Sequence, residues 1–171
     1  LYNQGIKTMK PMLACNTPVV LASLHNYPYA IQPKLDGIRA ISSSTGLWSR
    51  TGKLLPNRHL QKLHNEWRDK VPPWITFDGE VSLNRADGPQ FFQYYEVESA
   101  VMCQSGEPLL AYNIFDLIPG EVKSGIPFVE RMATAVRCVL DLDLFICIVQ
   151  THICTDLAML ERAVSDNAFY G

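Results

Sequence analysis

Lys34-Leu35-Asp36-Gly37-Ile38-Arg39 sets an amine, a carboxylate, a flexible turn and a guanidinium within six residues. An amine attacks phosphorus only when it is unprotonated, and a free lysine has a pKa of about 10.4. Nearby cations or partial desolvation lower that value and make lysine a usable nucleophile. Gly37 would let the backbone approach a bulky ligand, and Arg39 offers a planar fork to phosphate oxygens. The same run also reads as a Lys–Asp surface pair beside a glycine turn, so the decision rests on what surrounds it.

Strand-like runs flank the stretch on both sides: Ala30–Pro33 before it, then Ile38–Ser42 and Gly46–Ser49. Further strands are expected at Ile75–Leu83, Leu109–Asp116 and Leu144–Thr151. Asn57 caps a helix with Leu60, Leu63 and Trp67 at spacings of three and four. Glu96–Met102 is a short helical candidate, and Phe128–Leu140 puts Phe128, Met132, Val136 and Val139 on one stripe. Thr155 caps a final segment carrying Leu157, Leu160 and Val164. The hairpin-like spacing from 30 to 49 points to an α+β fold of antiparallel β-sheets flanked by helices.

The 171 residues suit one domain with a real core, and no linker or repeat divides them. With 47% hydrophobic and 19% charged residues the chain reads as globular. A net charge of −2 argues against a strongly basic nucleic-acid binder, though a local basic face is compatible with it. No run reaches the roughly 20 apolar residues of a membrane span, and no signal peptide is visible. The five cysteines are scattered without a C-x-x-C pair, which fits reduced thiols in a cytosolic protein better than a zinc site.

Four other segments accompany the opening one. Ser49-Arg50-Thr51-Gly52 follows a strand and places a guanidinium beside a glycine turn. Phe77-Asp78-Gly79-Glu80 sets two carboxylates around a glycine. Phe91-Phe92-Gln93 is followed by Ser99-Ala100-Val101-Met102, and Tyr112 to Leu117 is an apolar strand carrying Asp116. Read singly, each is an ordinary turn or a buried strand.

As an ordered set they resemble the nucleotidyltransferase (adenylation) domain of ATP-dependent DNA ligases, most closely the small enzymes of viruses and phages. That family runs K-x-D-G-x-R, S-R, D-G-E, F-Q with S-A-V-M, then an aromatic-rich strand ending in F-D. Here these are Lys34/Asp36/Gly37/Arg39, Ser49/Arg50, Asp78/Gly79/Glu80, Phe92/Gln93 with Ser99 to Met102, and Phe115/Asp116. Lys10-Pro11-Met12-Leu13-Ala14 looks like the family's usual start, and the resemblance covers residues 9–171.

The resemblance implies an ATP-grasp-like nucleotide cleft. In it Lys34 attacks the α-phosphate of ATP and holds AMP as a phosphoramidate, for transfer to the 5′-phosphate of nicked duplex DNA. Gln32 would read the adenine edge and Phe115 would stack on it. Arg39 and Arg50 would contact phosphate or ribose oxygens, and Glu80 the ribose or, through water, Mg²⁺. Phe92 would line the nucleoside pocket, with Tyr95 as a rival because the spacing from Gln93 to Ser99 is longer than usual. Asp36, Gly37, Asp78, Gly79 and Asp116 complete the motifs. A monomer acting in DNA repair, replication or recombination is implied, in the cytoplasm of a bacterial or phage-infected cell, or the nucleus or cytoplasm for a eukaryotic virus. Within the same class, K-x-D-G-x-R also serves RNA ligases and mRNA-capping enzymes, and outside it stands a non-catalytic nucleotide- or DNA-binding remnant.

The family continues with an E-G strand and a K-x-K strand. Aligned from Glu161-Arg162, Tyr170-Gly171 falls on E-G, either replacing it or lying just before it. The expectation is therefore a partial adenylation domain, incomplete at its C-terminal end and without the oligonucleotide-binding domain. Residues 1–8 read as an extension or expression scar before Met9. Little covalent labelling by ATP is expected of such a chain.

Overall fold

The computed structural model describes residues 17–84, 94–118, 125–142 and 145–167. Their contacts fall into two compact units, one within Asp36–Ile148 and the other within Met12–Leu35 and Val149–Gly171. No linker announces this division, because the second unit is assembled from two separated segments.

The larger unit is built on a five-stranded sheet. Its strands are β2 (Ile38–Ser43), β3 (Gly46–Ser49), β4 (Thr76–Leu83), β5 (Leu110–Ile118) and β6 (Ile146–Ile148), in the order β3-β2-β4-β5-β6. All neighbours are antiparallel except β6, which runs parallel to β5. A parallel neighbour needs a crossover, and helix α3 (Phe128–Val139) lies between the two strands in sequence.

Alternation along β4 sends Phe77 and Val81 into the core and leaves Asp78 and Glu80 on the opposite face. The core face is covered by α1 (Arg58–Arg68) and α2 (Tyr94–Met102), which contribute Leu60, Trp67, Val97 and Val101, and by Ala135 and Val139 of α3. Asn57 caps α1 by accepting from Leu60 N at 2.9 Å, and its Nδ2 donates to Ala100 O of α2 at 3.1 Å. One residue therefore starts one helix and ties it to another.

Three polar side chains are part of this core. The Tyr112 hydroxyl donates to Ala40 O and Phe77 O, at 3.0 and 3.1 Å. His64 is fully buried, its Nε2 3.0 Å from Ser42 Oγ, and burial pulls its pKa down to about 4. Arg68 donates to the carbonyls of Ser43, Val71, Pro72, Pro73 and Ile75. It thereby folds the Pro72-Pro73 loop against the helix end, at the cost of a guanidinium whose pKa burial lowers.

In the smaller unit β1 (Tyr29–Ile31) pairs antiparallel with β7 (His152–Cys154), and α4 (Leu157–Asn167) packs on them. Cys154, Leu160 and Ala163 form its buried centre, with Leu21, Leu24, Tyr27, Ile31 and Leu157 against them.

Three local expectations are corrected. The single strand expected over Leu144–Thr151 is two short strands, β6 and β7, which belong to different units. The cap of α4 is Asp156, whose Oδ1 accepts from Met159 N at 2.8 Å, rather than Thr155. Val136 and Val164 are exposed while Ala135 and Ala163 are buried. Scanning for large apolar residues passes over alanine, yet 128, 132, 135 and 139 keep the helical spacing better than a stripe through 136. Among the described residues no helix is long and apolar enough to cross a membrane.

Candidate functional site

The outward face of the β2–β4–β5 ladder gathers the charged motif residues. Arg39 on β2 stands opposite Glu80 on β4, and Glu80 stands opposite Asn113 on β5. Arg39 reaches diagonally to Asp78 and grips it with two bonds, Nε to Oδ1 at 3.0 Å and Nη2 to Oδ2 at 2.6 Å. The guanidinium carbon lies 5.2 Å from the centre of the Phe115 ring, within cation–π range.

Phe115 owes its place to a register shift. Asp78 pairs with Asp116 but Gly79 pairs with Ile114, so Phe115 is an extra residue in β5. Such a bulge re-aims side chains. Here it interrupts the alternation, leaving Phe115 and Asp116 half-buried between the buried Ile114 and Leu117. Arg131 of α3 holds Asp116 bidentately, Nε to Oδ1 at 2.8 Å and Nη2 to Oδ2 at 2.9 Å, and donates to Ile126 O at 2.7 Å. No local pattern foretold Arg131, which lies fifteen residues from its partner. Asn113 is a second residue the motifs do not mark. Its Nδ2 donates to Glu80 O at 3.2 Å and Ser82 Oγ at 2.9 Å, bracing the strand that bears Glu80.

Electrostatically the cluster is two acid–base pairs side by side. Asp78 is nearly buried, and burial pushes its carboxyl up, a push that the Arg39 bonds oppose. Asp78 in turn holds Arg39 above its ordinary value. Asp116 raises the pKa of Arg131 most strongly through its hydrogen bonds.

Both motif glycines are explained by packing. A Cβ on Gly37 would collide with Val81 O and come within 2.8 Å of Glu80 Cγ. The backbone Gly37 approaches is therefore that of β4, where the sequence suggested a ligand. A Cβ on Gly79 would sit 2.7 Å from both Tyr112 Cε2 and Asn113 O.

The remaining expected site residues fall on other elements. Arg50 is exposed in the turn after β3, where Ser49 Oγ accepts from Lys53 N at 3.1 Å and Gly52 takes a φ of +77°. Gln32 and Lys34 belong to the smaller unit, and Asp36, Gly37 and Arg39 to the larger. Gln32 Nε2 donates to Thr151 Oγ1 at 3.0 Å, and Lys34 is exposed, beyond the end of β1. Phe92 and Gln93 lie outside the described residues, and Tyr95 is exposed on α2.

No protein-family model and no curated protein matches the sequence. Solved structures do match. Chlorella virus DNA ligase-adenylate superposes with a TM-score of 0.70 at 22% identity, over 95% of this chain and 56% of the viral enzyme. The chain has the fold of a DNA ligase adenylation domain. A Lig E DNA ligase shares this adenylation-domain fold with a TM-score of 0.62 at 20% identity, over 84% of this chain and 52% of that one. The ATP-dependent ligase of bacteriophage T7, in complex with ATP, gives 0.51 at 16% identity, over 84% and 53%. The chain thus spans a little over half the length of these three ligases.

Proposed function

We propose that this chain carries the nucleotide-activating part of an ATP-dependent DNA ligase, with little labelling by ATP expected of it on its own. Lys34 Nζ, unprotonated, attacks the α-phosphorus of ATP. A phosphorus–nitrogen bond forms, the bond from that phosphorus to the bridging oxygen breaks, pyrophosphate leaves and the amine's proton goes to solvent. The AMP then passes to the 5′-phosphate of a nick, where the 3′-hydroxyl displaces it and joins the strand. Phosphoryl transfer of this kind needs alignment and charge neutralisation more than bonding by the protein.

The roles follow the motifs. Arg39 and Arg50 meet phosphate or ribose oxygens, Gln32 reads the adenine edge, Phe115 stacks on the base, and Phe92 lines the nucleoside pocket. Among the described residues no group of three or more His, Cys, Asp or Glu side chains gathers in a metal-binding cluster. Glu80 would be the residue to hold Mg²⁺, through water, if the ion enters with the nucleotide. The ion would supply charge neutralisation at the phosphates.

One observation carries the reading. Residues from three motifs far apart in sequence, Arg39, then Asp78 and Glu80, then Phe115 and Asp116, line one face of a sheet. That sheet belongs to a fold matched by ligases bearing adenylate and ATP. For the polynucleotide partner the support is charge. Residues 37–65 hold Arg39, Arg50, Lys53, Arg58 and Lys62 and no carboxylate, in a chain of net charge −2. All but Arg39 are exposed; Lys62 pairs with Glu66 at 3.9 Å, and the exposed Arg50, Lys53 and Arg58 suit a polyanion.

The test is incubation with α-labelled ATP and Mg²⁺, followed by digestion and mapping of the acid-labile adduct. Whatever label forms is expected on Lys34 and is expected to vanish in Lys34→Ala. Label that persists in that variant would overturn the assignment. Comparing nicked DNA with nicked RNA as acceptors then decides the polynucleotide.

A further inference from the structure

Asp78 and Asp116 face each other directly across β4 and β5. Two like charges in opposed strand positions destabilise a sheet unless each is neutralised. Here each has its own arginine in a two-bond grip: Arg39 from β2 for Asp78, Arg131 from α3 for Asp116. We propose that Arg131 is a positioning residue for the nucleotide face, fixing the β5 bulge that presents Phe115 and keeping Arg39 committed to Asp78.

This rests on reading that face as a nucleotide site. Two observations carry it. Asp116 is the residue next to Phe115 at the bulge, and its Oδ1 also accepts from Leu117 N at 2.7 Å. The grip of Arg131 on both carboxylate oxygens, with its third contact to Ile126 O, thus pins the local backbone to α3. In addition, Asp116 lies within electrostatic reach of both Arg39 and Asp78. Without Arg131, the Asp116 charge would be left to compete for Arg39. A guanidinium drawn between two carboxylates leaves its place over Phe115. Lysine could neutralise Asp116 but cannot reproduce the fork.

Binding of a fluorescent adenine nucleotide without divalent cation, so that no covalent step follows, tests this on the whole chain. Arg131→Gln should weaken binding about tenfold, comparable to losing one base–aromatic stack. Adding Asp116→Asn to that variant should recover most of the loss, because the orphaned carboxylate is gone while an oxygen remains for Leu117 N. Met132→Ala, which empties a buried position one residue along α3, should lower the melting temperature and leave affinity unchanged. Wild-type affinity in Arg131→Gln overturns the proposal. So does an equal loss in Met132→Ala, or no recovery in the double variant. Phe115→Leu separates the two readings. Loss there with none in Arg131→Gln defeats only the positioning role, whereas no loss in either defeats the nucleotide reading of the face.

Discussion

The Tyr112 ring occupies the space that any side chain at position 79 would need, its Cε2 2.7 Å from where a Cβ would stand. Asn113 O lies equally close, so moving the ring alone cannot relieve the clash. Gly79→Ala is therefore expected to cost about 1–3 kcal/mol, the usual range for overpacking. Tyr112→Phe, which only removes a hydroxyl shared by two carbonyls, should cost about 1 kcal/mol. Thermal denaturation of the two variants checks the order, and an unperturbed Gly79→Ala would refute it.

His64 makes stability depend on pH. Its folded pKa of about 4 lies below the unfolded value of 6.5, so the unfolded chain takes up the proton first. Stability is complete above pH 6.5 and declines as pH falls towards 4, by roughly 3 kcal/mol in all. Urea titrations at several pH values should show that slope in the parent protein and a flatter one in His64→Gln. Identical slopes would exclude His64 as the source.

Arg68 should be among the costliest residues to replace. Arg68→Met leaves several buried carbonyls without a donor, and a loss of about 3 kcal/mol or more is expected. Arg68→Lys should recover only part of this, since one ammonium cannot reach carbonyls spread from Ser43 to Ile75. Chemical denaturation reads both.

The Arg39–Asp78 pair predicts an effect on ligand binding. Asp78→Asn preserves volume but removes the negative charge and one of the two oxygens that aim Arg39. Nucleotide affinity should fall roughly three- to tenfold, against a 1.4 kcal/mol equivalence per decade. Acidification should mimic it. Burial has raised the Asp78 pKa, so this carboxylate protonates earlier than an ordinary one as pH falls. Calorimetric titration of nucleotide between neutral and mildly acid pH measures the decline, and Asp78→Asn should abolish its Asp78 component.

Much of this was legible in the residues. Periodicity located α1 through Leu60 and Trp67, and the strand-like run Ile75–Leu83 located β4. The motif order brought Arg39, Glu80, Phe115 and Asp116 under consideration before any geometry was known. What escaped notice depends on contacts between distant segments. Arg131 is an unremarkable helix residue until it meets Asp116. The bulge at Phe115 is defined only by its partner strand, and Ala135 and Ala163 carry too little apolar weight to mark the face they bury. Close approach does explain Gly37, but the neighbour it admits is the backbone of β4.

The split origin of the smaller unit has a temporal consequence. Gln32 and Thr151, which it joins by a hydrogen bond, are 119 residues apart. At a ribosomal pace of about 5–20 residues per second, roughly 6 to 24 s pass between their appearances. During that interval β1 has no strand to pair with, while the sheet encoded in between can already close. Lys34 therefore emerges well before the strand that pairs with β1 beside it.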